Sequence, residues 1–170
     1  MTPPNDKKTL VERTKEILEE NYPLFEEKDR EVTFLLNCLL GIIVTISENE
    51  KRKNEVFKGF IDDDFLDLIP EKVGFLKDIP QDHDLITRQY VRLGVGKKED
   101  LAQKSKLWFI NRIRNGIAHQ NIDDISTGNK WIGIRLWNQK SSTRDFEIEY
   151  SIQELKIFAL ELAKIYLEKK

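Results

Sequence analysis

From Val32 to Ile46 the chain is apolar on nearly every side of a helical wheel, because Val32, Phe34, Leu35, Leu36, Leu39, Leu40, Ile42, Ile43 and Val44 leave no broad polar face. A helix of that kind needs other elements around it, so the segment predicts the central helix of a bundle. It is shorter than the roughly 20 apolar residues of a membrane span, and Asn37 interrupts it, so no membrane insertion is expected. Asn37 reads equally well as a satisfied core amide and as a polar residue lining a cleft.

The neighbouring patterns supply the rest of the bundle. Leu10, Thr14, Ile17 and Leu18 recur at helical spacing after a Thr9/Glu12 capping box, which predicts a first helix from about Thr9 to Glu20, ended or bent by Pro23. Residues 47–84 read as short helices and loops. Within them Asp62-Asp63-Asp64 is a solvated acidic turn rather than a cation site, since three consecutive side chains point in different directions. Gly94-Val95-Gly96-Lys97-Lys98 lacks the glycine spacing and the Ser or Thr of a phosphate loop and reads as a turn. A long helix is expected from about Glu99 to Ile117, with Glu99 and Asp100 favourably placed at its N-terminus. Trp131 to Trp137 and Asp145 to Tyr150 then alternate as a β-hairpin. A Ser151/Glu154 capping box opens a last helix whose apolar face is Ile152, Leu155, Phe158, Ala159, Leu162 and Tyr166. The fold class is mainly α: one helical domain with a small hairpin before its last helix.

A chain of 170 residues is long enough for one core and short for two. The single cysteine, Cys38, has no partner in the chain, and the first residues lack a basic stretch followed by an apolar one. Both features fit a reducing cytoplasm. The net charge of −2 does not advertise a nucleic-acid binder, but Ile86 to Asn115 carries a local excess of +6, so a basic patch lies there.

Within that basic stretch the predicted helix has two unlike faces. Ile110, Ile113 and Ile117 form an apolar stripe, while Trp108, Arg112, Asn115 and His119 fall in a narrow sector opposite. Arg114 borders the apolar stripe and stands about 140° from His119 around an ideal helix. For the two to converge, either the helix loosens near Gly116 or a second chain contributes. A guanidinium beside an apolar stripe also suits a surface that another copy packs against, which points to a homodimer.

The run Arg114-Asn115-Gly116-Ile117-Ala118-His119 is similar to the R-N-x-x-A-H signature of the HEPN (higher eukaryote and prokaryote nucleotide-binding) superfamily, and Thr33-Phe34-Leu35-Leu36-Asn37-Cys38-Leu39-Leu40-Gly41 resembles a bacterial branch of HEPN family nucleases. That resemblance implies a four-to-five-helix bundle, usually a homodimer, in which the Arg and His of both protomers meet in a cleft and cut RNA without metal. Toxins, some paired with an antitoxin protein, and anti-phage proteins occur in this superfamily. Other members have lost catalysis and only bind nucleotides, RNA or partner proteins. Matched position by position, the motif residues are Arg114, Asn115 and His119. Their chemistry suits RNA, which carries its own nucleophile in the 2′-hydroxyl. Histidine as a residue type titrates where a base for that hydroxyl is needed, and a forked, permanent cation suits the charge that builds on the phosphate oxygens. Asn115 would orient the imidazole or bond a phosphate oxygen.

The remaining polar residues have plainer readings beside their functional ones. Arg112 and Lys106 are solvated cations or phosphate contacts, and Trp108 is a packing residue or a base-stacking platform. His83, between Asp82 and Asp84, reads as a solvent-exposed loop residue. No metal-ligand cluster is evident, and no cofactor is expected.

Overall fold

The computed structural model describes residues 7–50, 56–71, 73–74, 101–140 and 143–168. In chain order they form α1 (Lys7–Glu26), α2 (Glu31–Glu50), the single turn α3 (Asp63–Leu66), β1 (Val73–Gly74), α4 (Lys106–Ala118), β2 (Ile122–Thr127), β3 (Lys130–Lys140), β4 (Thr143–Ser151) and α5 (Ile152–Glu168). The chain is mainly helical, with an antiparallel sheet ahead of the last helix.

α2 is the central helix that its all-round apolarity predicts. Leu35, Leu39, Ile42, Ile43 and Ile46 are fully buried, and the helix packs against α1, α4 and α5. By length and composition alone it also passes for a membrane span, yet its core-facing side is covered by these neighbours. Phe109 of α4 ties the rest together: its ring stands edge-on to Phe65 of α3, Phe146 of β4 and Phe158 of α5, with centroids 5.7–5.9 Å apart. Such edge-to-face pairs fix orientation as well as burying area.

Two helix boundaries differ from the sequence expectation. α1 runs from Lys7 to Glu26, so Thr9 lies inside it rather than capping it, and Pro23 does not end it. Pro23 removes only one intrahelical bond, and the last turn is held from outside. Tyr22 is buried there, and Phe25 stacks on Phe34 of α2 at 4.1 Å. α4 starts at Lys106 rather than near Glu99. Ser105 has extended dihedrals and accepts a hydrogen bond from the Trp108 amide at 3.0 Å, an N-cap that cannot also be helix interior. A bridge between Phe60 and Ser105 and the bond from the Ile61 amide to the Lys104 carbonyl hold the cap in place. The 94–98 turn, His83, Glu99 and Asp100, and the first half of the basic stretch lie outside the described residues.

β3 and β4 pair as the alternation predicts, with Ile134 opposite Tyr150 and Leu136 opposite Ile148, all four buried. Ile132, expected on the same face, is 46% exposed near the open end of its strand. The hairpin belongs to a larger sheet of order β1-β4-β3-β2. β2 was not legible because Ile122-Asp123-Asp124-Ile125-Ser126-Thr127 lacks the two-residue alternation of a half-buried strand, and it is an edge strand. The capping box before α5 forms as expected: the Ser151 amide donates to the Glu154 carboxylate at 2.9 Å, and the Glu154 amide donates to Ser151 Oγ at 3.1 Å. The acidic run Asp62-Asp63-Asp64 has a structural use, since Asp62 caps α3 by accepting from the Phe65 amide.

Candidate functional site

The R-N-x-x-A-H segment occupies the last turn and a half of α4. Ile110, Ile113 and Ile117 are buried as the wheel predicts, Arg114 and Asn115 are half-buried, and His119 is exposed at the C-cap. The helix is regular through Ala118, so it does not loosen at Gly116. Arg114 and His119 therefore diverge on one protomer by the roughly 140° of an ideal helix. Among the described residues no side-chain hydrogen bond or ion pair engages Arg114, Asn115 or His119, so no group within them orients the imidazole.

What holds this turn is backbone geometry. The His119 amide donates to the Asn115 carbonyl at 3.0 Å, the Gln120 amide to the Ile117 carbonyl at 3.1 Å, and the Asn121 amide to the Gly116 carbonyl at 2.8 Å. Gln120 has a φ of 56°, in the left-handed region. Together these are a Schellman termination with Gln120 at the position glycine favours. The chain then reverses into β2, and the Asn121 carbonyl accepts the Trp137 amide of β3 at 3.2 Å. Gly116 is the contact point on the helix side. A Cβ there would stand 2.9 Å from the Trp137 carbonyl oxygen, so the first variable position of the motif is glycine because the helix lies directly on strand β3.

Behind that contact lies a buried polar cluster. Glu147 of β4, directly across from Trp137, is 1% exposed and accepts from Arg144 at 2.9 Å, with Arg135 at 3.9 Å. Burial pushes its carboxyl above the ordinary carboxylate range, and Arg144 and Arg135 only partly oppose that shift. Arg135 also grips Glu149 at 2.9 Å, and the Arg144 guanidinium stacks on the Trp137 ring at 3.9 Å. The cluster braces the strand that braces the motif.

The other expected site residues are spread along α4 and α2. Lys106 is engaged with Asp62 at 2.6 Å and clasps α4 to the α3 turn. Trp108 is a packing residue, edge-on to Phe146, and Lys104 and Arg112 lie over its ring at 5.2 and 5.4 Å. Asn37 is not a core amide, because it is exposed on the outer face of α2. Its helix reaches the motif helix through Ser47, whose hydroxyl donates to Asn111 Oδ1 at 3.0 Å. Among the described residues no group of three or more His, Cys, Asp or Glu is placed to hold a metal ion.

Ser105, Gly116, Gln120 and Trp137 thus position the site although the sequence reading did not single them out for it. Only Gly116 left a trace, as a glycine inside a helical pattern, which usually marks a packing reason. No curated protein and no solved structure matches the chain. A family model described as HEPN pEK499 p136 matches it over residues 1–170. The complete R-N-x-x-A-H run on an exposed helix end and this end-to-end match agree: the chain belongs to the HEPN pEK499 p136 family.

Proposed function

We propose that this HEPN module is an RNA endonuclease that works without metal, as a homodimer in which the Arg114 and His119 residues of two copies share one cleft. The observation that carries the reading is the polar triplet Arg114, Asn115 and His119 left unengaged within the described chain on a rigidly terminated helix end. Regular helix between Arg114 and His119 argues for the second copy, because one protomer alone directs them apart.

In this mechanism one His119 takes the proton of the 2′-hydroxyl as its oxygen attacks the adjacent phosphorus. The P–O5′ bond breaks, and the partner's His119, protonated beforehand, returns a proton to the leaving 5′-oxygen. The products are a 2′,3′-cyclic phosphate and a 5′-hydroxyl. Arg114 pairs with the non-bridging oxygens as their charge grows, and Asn115 bonds the phosphate or the imidazole. Arg112 adds a backbone phosphate contact. Lys106 does so only by leaving Asp62, and Asn37 borders the cleft if the partner reaches the outer face of α2. A toxin or phage-defence role, with an antitoxin protein as regulator, in the cytoplasm and away from membranes, is the setting such an activity fits.

The second reading is a HEPN module that binds nucleotide, RNA or a protein partner without turnover. The absence, among the described residues, of a partner that orients the His119 imidazole favours it. One experiment separates the two: wild-type and His119→Ala protein incubated with total RNA in EDTA. Cleavage by wild type, lost in a folded His119→Ala variant, supports the nuclease. RNA binding with no cleavage by wild type supports the module. Cleavage that appears only on adding magnesium or manganese refutes the mechanism.

A further inference from the structure

We propose that a second copy of this chain docks antiparallel on the outer face of the α1–α2 hairpin, along a ridge formed by Leu10, Ile17 and Leu24. These three are 57%, 49% and 55% exposed, at seven-residue spacing that keeps them in line along α1. Two polar neighbours of the ridge already make a bond to their own helix: Thr14 Oγ1 donates to the Leu10 carbonyl at 2.8 Å, and Asn21 Nδ2 to the Ile17 carbonyl at 3.0 Å, so a covering surface leaves each of them at least one partner. On α2 the outward residues are Thr33, Asn37, Gly41 and Val44. A Cβ on Gly41 would meet nothing within 4 Å, so no contact among the described residues requires a glycine in the middle of this helix. The Phe25–Phe34 stack sets the register of the two antiparallel helices and places Ile17 level with Gly41, a projection beside a gap.

Charge selects the occupant. Arg13 and Glu20 are both exposed and flank the ridge on one side, seven residues apart. Two copies related by a two-fold axis at Ile17 place Leu10 against Leu24, Ile17 against Ile17, and each Arg13 beside a Glu20 of the other copy. A parallel arrangement sets like charges together. Two helices of 20 residues present a face about 30 Å long and about 20 Å wide. Covering it on both copies buries about 1,200 Å², the lower end of what a specific dimer needs. Beneath that face the buried Ser47 of α2 bonds Asn111 of α4, and Arg114 lies about 60° from Asn111 around that helix, so the helix the docked copy covers is a neighbour of the motif helix. Only a link from that neighbourhood to a shared cleft rests on the nuclease reading.

The test is the mass of the full chain by light scattering and sedimentation across micromolar concentrations. Wild type is expected to be a dimer. Ile17→Asp, at an exposed position the fold tolerates, should weaken it roughly a hundredfold or more, and Gly41→Leu, which has room within its own chain, should do the same. Arg13→Glu should weaken it roughly tenfold, and the swap Arg13→Glu/Glu20→Arg should restore it. A wild-type monomer overturns the proposal, including one that instead sediments with anionic phospholipid vesicles. So does a dimer unmoved by both Ile17→Asp and Gly41→Leu. An RNA assay on the same samples keeps the two ideas apart: an Ile17→Asp monomer that still cleaves refutes the shared cleft and leaves the docking face standing.

Discussion

Two glycines in helices of this chain should respond to the same substitution with opposite signs. At Gly116 an added Cβ meets the Trp137 carbonyl oxygen at 2.9 Å, about half an ångström inside ordinary contact. Neither side gives easily. The Trp137 amide is bonded to Asn121, its peptide sits in the β3–β4 ladder, and Gly116 is tied to Asn121 through its own carbonyl. Overpacking of this kind costs roughly 1–3 kcal/mol, and the helix preference of Ala over Gly returns about 1, leaving Gly116→Ala destabilised by about 1 kcal/mol. For a domain of this size that is a fall in Tm of about 2–4 °C. Gly41→Ala meets nothing, so in the Ile17→Asp background, where the α1–α2 face is free, it should raise Tm by about 2 °C. Thermal unfolding followed by circular dichroism reads both. RNA cleavage by Gly116→Ala should fall about tenfold to a hundredfold, since the helix end that carries His119 must shift against the sheet. If both alanines move Tm in the same direction, the claim that β3 packing dictates Gly116 is refuted.

Two further outcomes follow from the same region. Gln120→Gly relieves a left-handed residue and should gain about 0.5–1 kcal/mol, whereas Gln120→Val should lose at least as much; urea midpoints at constant m-value check both. Glu147 has its pKa raised by burial, so the folded state holds its proton more tightly than the unfolded chain does, and its contribution to stability is greatest at acid pH and is lost as pH rises through the folded value. Glu147→Gln should therefore be at least as stable as wild type at neutral pH, with the advantage vanishing as the carboxyl protonates; a Tm difference that instead favours wild type more strongly as pH rises contradicts the burial argument.

The parts of this fold that the sequence displays are those written by periodicity. The all-apolar α2, the β3–β4 alternation and the Ser151/Glu154 box each state their structure within a short window. The parts it hides are set by contacts distant in sequence. Pro23 looks like a helix end until Phe34 is placed against Phe25, and Ser105 looks like helix interior until Phe60 and Ile61 pair with the segment around it. β2 carries two adjacent aspartates and becomes a strand because β3 offers it an edge. For the site, residue types and spacing were legible, and so was the divergence of Arg114 from His119. The Schellman turn at Gln120 was not, because glutamine gives no sign of a left-handed conformation. Of the two readings Asn37 allowed, exposure removes the core amide, because a helix apolar all round still has an outer face when one side stays uncovered.

That uncovered side and the divergent motif bear on one another. His119 is fixed by the turn into β2 and by the β3 strand, and Arg114 by a regular helix whose neighbouring turn is bonded to α2 at Ser47. The two motif side chains are therefore referred to different parts of the framework, the imidazole to the sheet and the guanidinium to the α2 side. A substrate phosphate that engages both within one protomer would have to reach around the helix. In the proposed dimer, a second copy lying along α1 and α2 would approach from the guanidinium side and carry its own histidine on the same turn. A site assembled in that way needs no internal loosening at Gly116, where the helix is regular, and in the proposed dimer the second copy would face an imidazole that no group among the described residues orients.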